Sequence, residues 1–128
     1  MPTILAIDWG SRQVGTALGN TVARIGTPHL PLANDADLSV NLQKLIESES
    51  VERVIVGLPR NLEGEETAQS EEIRAFATQL ADRLQCPVLL QDETLSTQAG
   101  QELRSRYPRA DKDSLAAAVI LQDYLETL

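Results

Sequence analysis

The first apolar run, Thr3-Ile-Leu-Ala-Ile-Asp8, has no polar residue between its ends, the pattern of a strand buried on both faces. Trp9-Gly-Ser-Arg-Gln13 reads as a turn and Val14-Gly-Thr-Ala-Leu18 as a returning strand, so the two runs form a hairpin. Arg24 to Leu32, with two prolines, is predicted as a short third strand running into a loop. Asn34-Asp-Ala-Asp37 then offers helix-capping residues, followed by Leu38, Leu42, Leu45 and Ile46 at helical spacing. Val51-Glu-Arg-Val-Ile-Val56 is a further buried strand, stopped by Gly57-Leu-Pro59. After the polar loop Arg60-Asn-Leu-Glu-Gly64 comes a long helix from about Glu66 to Leu84, with Ile73, Phe76, Ala77 and Leu80 as its core stripe. Pro87 to Gln91 is another strand, Thr97 to about Arg106 a short helix, and Asp113 to about Leu125 a last helix presenting Leu115, Val119, Ile120 and Tyr124. Strands come first and then alternate with helices, so the predicted class is α/β, a mixed sheet covered by helices.

A chain of 128 residues fits one domain, residues 1–128, and can bury its own core. No apolar run reaches the roughly 18 residues of a membrane span. The start lacks the basic flank and small-residue cleavage site of a signal peptide, so a cytoplasmic location without membrane contact is expected. The one cysteine, Cys86, leads into Pro87-Val-Leu-Leu90 and reads as a packing residue. The one histidine, His29, is expected in a loop; with a single cysteine it cannot make a typical zinc site. The net charge of −8 argues against tight non-specific binding of nucleic acid, which rewards a basic surface, and suits carboxylates that need a divalent cation.

Carboxylates stand where the strands end. Asp8 closes the first strand and Asp92-Glu93 the last, and ligand sites of α/β sheets gather beyond the carboxyl ends of strands. A carboxylate ending a fully apolar strand must meet solvent, a cation or a strong donor. Asp113 opens the final helix, where the plain alternative is an N-cap; for Asp92-Glu93-Thr94 the alternative is a turn with a cap. Three carboxylates converging from separate elements would hold one or two Mg²⁺ or Mn²⁺ ions and suit phosphodiester hydrolysis by water.

Four motifs occur in order: Ile7-Asp-Trp-Gly-Ser11, Val56-Gly-Leu-Pro-Arg-Asn-Leu-Glu-Gly64, Asp92-Glu-Thr-Leu-Ser-Thr97 and Asp113-Ser-Leu-Ala-Ala-Ala-Val-Ile-Leu-Gln122. Together they resemble the YqgF family, a bacterial group described as Holliday junction resolvases and as pre-16S rRNA nucleases, and the resemblance runs nearly end to end. It implies an RNase H-like fold: a five-stranded mixed sheet, its first three strands antiparallel, in the order 3-2-1-4-5 and flanked by helices. It also implies that Asp8, Glu93 and Asp113 are the catalytic carboxylates and ligands of Mg²⁺ or Mn²⁺, with Asp92 as a further ligand. The implied activity is nuclease action on structured RNA, at the 5′ end of pre-16S rRNA during ribosome biogenesis, with ribosomal precursor particles as partners.

The sequence departs from the family pattern at two places. The family commonly has Lys-Arg where this chain has Arg12-Gln13, and Arg where it has Thr94. Cations that could replace them lie in Arg104-Ser-Arg-Tyr-Pro-Arg-Ala-Asp-Lys112, where Arg104, Arg106, Arg109 and Lys112 are candidate phosphate contacts and Tyr107 a candidate stacking ring. Arg12, Arg60 and Asn61 are further candidate contacts; the alternative for all of these is a solvated loop. The acidic run Glu63 to Glu72 reads as a solvated helix start. Rival functions are a Holliday junction resolvase-like endonuclease on branched DNA and a non-catalytic module that binds ribosome precursors or a protein. A third is nucleotide binding, since Asp-x-Gly-Ser also resembles the phosphate loop of actin and the chaperone ATPases.

Overall fold

The computed structural model describes residues 3–60, 63–92 and 97–128, of residues 97–99 the backbone alone. The chain forms β1 (Thr3–Asp8), β2 (Gln13–Asn20), β3 (Thr27–Ala33), α1 (Leu38–Ser48), β4 (Val51–Leu58), α2 (Ala68–Arg83), β5 (Val88–Asp92), α3 (Thr97–Arg106) and α4 (Lys112–Glu126). The strands make one sheet in the order β3-β2-β1-β4-β5. β1 pairs antiparallel with β2 and β2 with β3, while β4 and β5 run parallel to β1. This is the RNase H-like arrangement expected from the sequence.

Strand alternation divides the core into two layers. Leu5 and Ile7 of β1 pack with Leu42 of α1 and Ile73 and Leu80 of α2. Ile4 and Ala6 pack on the other side with Ala117, Ala118, Leu121 and Leu125 of α4. Asp8 continues the even-numbered set, so its side chain leaves the sheet on the α4 side. α4 lies close over β2 because Gly15 and Gly19 present no side chains to it. A Cβ on Gly15 would stand 1.9 Å from the Asp113 carbonyl oxygen, and one on Gly19 3.1 Å from Leu121.

Four local expectations change. β4 runs on through Gly57 and Leu58, because these residues pair with Gln91 and Asp92 of β5. His29 lies within β3, opposite Thr16, and not in a loop. On α4 the buried stripe is Ser114, Ala117, Ala118, Leu121 and Leu125 together with Leu115 and Ile120, while Val119 and Tyr124 are only half-buried. Two faces are buried because the helix lies on the sheet and also against α3. α1 begins after Asp37 without a side-chain cap; Asp35 instead accepts from the Asp37 N–H at 2.9 Å. Cys86 does pack, half-buried, against the α1/α2 layer, and burial pushes its thiol above the ordinary value. No helix among the described residues is long and apolar enough to cross a membrane.

Candidate active site

β1, β4 and β5 are parallel, so Asp8, Leu58 and Asp92 all end on one edge of the sheet. Asp8 is half-buried there and sits opposite Gly15 across the hairpin. Directly opposed residues of antiparallel strands have Cα atoms about 4.5–5.5 Å apart. Gly15 in turn touches the backbone of Asp113. One glycine therefore brings the end of the first strand and the start of the last helix together across about a hundred residues of sequence.

The turn after Asp8 is tied down from β3 and its continuation. The Asn34 side chain donates to the Gly10 carbonyl at 2.7 Å, and its backbone N–H donates to the Arg12 carbonyl at 2.9 Å. Trp9 crosses to the opposite layer and lies against Phe76 of α2, ring centroids 6.4 Å apart.

The N-cap of α4 is Asp111, not Asp113. Its Oδ1 accepts from the backbone N–H of Asp113 at 2.8 Å and of Ser114 at 3.4 Å. Asp113 is left in the first turn with its carboxylate available for other work, half-buried beside the hairpin. The Gln13 side-chain amide reaches both acids: Nε2 donates to Asp113 Oδ2 at 2.7 Å and lies 3.2 Å from each oxygen of Asp111. Partial burial would push the Asp111 carboxyl up. The Gln13 amide, the two backbone N–H groups and the Lys112 charge outweigh this and hold it below its ordinary value. Behind this network the buried Ser114 hydroxyl accepts from the Thr16 N–H at 3.4 Å, and Thr16 donates its own hydroxyl to the Leu30 carbonyl at 2.7 Å.

Asp92 has the parity of Val88 and Leu90, which pack on the α1/α2 layer, so it faces away from Asp8 and Asp113. It is paired with Arg60 at 3.2 Å. Arg60 also donates to the Gly64 carbonyl at 3.3 Å. Next to them the acidic start of α2 is solvated, as expected, with Glu66 held below its ordinary value mainly by a hydrogen bond from Arg74. Glu93 and Asn61 lie outside the described residues, and so does the turn-and-cap alternative for Asp92-Glu93-Thr94. Among the described residues no three His, Cys, Asp or Glu side chains form a group that could hold a metal ion.

Of the candidate phosphate contacts, Arg12, Arg60, Arg104, Arg106, Arg109 and Lys112 are all exposed. Arg104 and Arg106 occupy the last turn of α3, where they also complement the helix dipole. Arg106 lines a groove together with Glu102, Gln122 and Glu126, so two acids share that groove with it. Tyr107 is half-buried against the core layer under α4, and part of its ring is spent on packing. Gly15, Gln13 and Asp111 were not among the sequence candidates. An Asp two residues ahead of Asp113 and just before an apolar helix is an N-cap signal, and alternation along β2 puts residues 13, 15 and 17 on one face.

The donor chemistry of Asp8 and Asp113, two half-buried carboxylates whose backbones both adjoin Gly15, is that of oxygen ligands for a hard divalent cation. Comparison with known proteins gives the family and the fold. The sequence model of the RuvX family, described as Holliday junction resolvase, matches residues 2–127. A Bordetella pertussis protein named "Putative pre-16S rRNA nuclease" is 38% identical over 128 residues, covering 98% of this chain and 95% of that protein. A protein of the same name from Chloroflexus aurantiacus is 36% identical over 131 residues, covering 96% and 86%. In structure, Thermus thermophilus RuvC in complex with a Holliday junction substrate superposes with a TM-score of 0.61 at 13% identity, covering 99% of this chain and 96% of that one. The fowlpox virus Holliday junction resolvase gives 0.58 at 13% identity, covering 98% and 99%. At such identities the likeness shows the fold, and the relatives in sequence show the kinship: this chain belongs to the RuvX family of RNase H-like nucleases.

Proposed function

We propose that this protein hydrolyses phosphodiester bonds in structured RNA, as a cytoplasmic, single-domain nuclease that matures the 5′ end of pre-16S rRNA on ribosomal precursor particles. The observation that carries the reading is the apposition of Asp8 and Asp113 through Gly15 in a chain of this family. The names of its relatives support pre-16S rRNA as the substrate.

In this reading Asp8, Glu93 and Asp113 hold Mg²⁺ or Mn²⁺. When bound, such a cation supplies a low-pKa water as the nucleophile and offsets charge on the leaving oxygen. The protein's own part is placement. The Asn34 bonds fix the turn that follows Asp8. The Asp111 cap and Gln13 fix the first turn of α4, so that Asp113 keeps one orientation. Asp92 holds the Arg60 guanidinium at the carboxyl edge, where it meets a substrate phosphate; Arg12, Asn61, Arg104, Arg109 and Lys112 extend that contact, and Tyr107 offers the exposed part of its ring to a base.

The test is cleavage of a labelled pre-16S leader RNA and of a four-way DNA junction, with Mn²⁺ or with EDTA, by the wild type and by Asp8→Asn. Mn²⁺-dependent cleavage of the RNA alone, lost in a folded Asp8→Asn protein, is expected. Cleavage of the junction alone would make the protein a resolvase of branched DNA. No cleavage of either by well-folded wild type would overturn the nuclease reading in favour of a binding module.

A further inference from the structure

Among the described residues no side chain other than Gln13 bonds to both acids at the start of α4. Its amide nitrogen lies within hydrogen-bond distance of three carboxylate oxygens, two of Asp111 and one of Asp113. These carboxylates belong to one helical turn and repel each other, and each can rotate about its own side-chain torsions. A shared N–H donor between them sets both rotamers and lowers the repulsion. It does so without a formal charge, which distinguishes it from any lysine or arginine in the same place.

That difference bears directly on metal binding. A cation at residue 13 would pair with Asp113, and a divalent ion would then have to displace it. A neutral amide bonds to Oδ2 of Asp113 and leaves the full negative charge of the carboxylate in the site. The pleat supports the geometry: residue 13 lies on the same face of β2 as Gly15, which touches Asp113 directly. Anchoring is available from both ends, because Asp111 is itself fixed by the two N–H groups it caps.

We propose that Gln13 is a neutral positioning residue of the divalent-cation site: it orients Asp113 through the 2.7 Å bond, braces it against the capping Asp111, and adds no positive charge of its own to the site. The proposal rests on the reading of Asp8 and Asp113 as cation ligands. Hydrogen-bond partners that orient metal ligands typically change affinity by about 10–100-fold when removed.

The experiment is calorimetric titration of Mn²⁺ into the metal-free wild type, Gln13→Ala, Gln13→Lys and Asp8→Asn, with the melting temperature of each measured in EDTA. The proposal expects about tenfold weaker Mn²⁺ binding in Gln13→Ala. In Gln13→Lys it expects binding at least as weak, with a melting temperature equal to or above that of wild type. Lysine keeps a donor for both acids, so this variant guards the test should Gln13→Ala unfold. A purely structural Gln13 would instead make affinity follow stability, and wild-type affinity in Gln13→Lys would overturn the proposal while leaving the site intact. Failure of the site itself looks different: Asp8→Asn would then bind Mn²⁺ like the wild type, or the wild type would not bind it, and both readings would fall.

Discussion

The backbone carbonyl of Asp113 occupies the place where Gly15 would carry a side chain, 1.9 Å from the position of that absent Cβ. The contact is between backbones, so no rotamer change can relieve it. Gly15 is also the cross-strand partner of Asp8. The approach of the Asp113 backbone to the strand opposite Asp8 therefore depends on one residue having no side chain.

Gly15→Ala should displace α4 from the hairpin. Overpacking of this kind destabilises by about 1–3 kcal/mol, and cleavage should fall with it because Asp113 moves. Gly100, in α3, has nothing within 4 Å of its missing Cβ. Gly100→Ala should therefore stabilise by roughly 0.5–1 kcal/mol. Urea unfolding of both variants checks the pair; equal stabilities would contradict the packing described here.

Asp111→Ala removes the cap of α4 and one anchor of Gln13. Loss of such a cap typically costs about 1 kcal/mol. Asp111→Asn keeps an acceptor for the Asp113 and Ser114 N–H groups and should recover most of that stability in thermal unfolding. If Asp111→Ala melts with the wild type, Asp111 is not the cap that starts this helix.

Arg60 and Asp92 are paired at the surface, with side chains 33% and 59% exposed. Exposed pairs contribute about 0–1 kcal/mol, so Arg60→Ala should leave unfolding nearly unchanged. Its effect should appear on RNA instead, as uniformly weaker binding with a salt slope shallower by about one. Unchanged affinity and slope would remove Arg60 from the substrate path.

Burial raises the Cys86 thiol above its ordinary value of 9.0. Below that value the thiol is neutral in folded and unfolded chains alike and adds no pH dependence. Above it the unfolded chain loses the proton first, so stability should decline as pH rises. At neutral pH the native protein should alkylate with iodoacetamide much more slowly than the urea-unfolded chain. Equal rates would mean that Cys86 is not packed as described.

The sheet was legible because its signals are local. Apolar runs marked β1 and β4, and capping residues with helical spacing marked the helices. What escaped was non-local. β4 extends through Gly57 and Leu58 because β5 lies beside them, and nothing in Gly57-Leu-Pro59 announces that partner. The buried face of α4 follows from the flat stripe of Gly15 and Gly19, and a hydrophobicity count rewarded Val119 and Tyr124 over Ala117 and Ala118. In the site, Asp8 was legible as a charge at the end of an apolar strand. Asp113 was ambiguous with an N-cap until Asp111 took that place. Gln13 read only as a missing cation, since its bonds to Asp111 and Asp113 span about a hundred residues. The charge of Asp92 was legible, but its direction needed the alternation of β5 and its partner Arg60.

The central claim is that Asp8 and Asp113 form one cation site, and a double-mutant cycle on Mn²⁺ affinity tests it most directly. The single variants Asp8→Asn and Asp113→Asn and the double variant would be titrated with Mn²⁺, each checked for native folding. Residues that act as a unit are strongly non-additive. The double variant should therefore bind no more weakly than the worse single variant. Losses that add in full, or a single variant that binds Mn²⁺ as the wild type does, would mean that the two carboxylates do not share a cation.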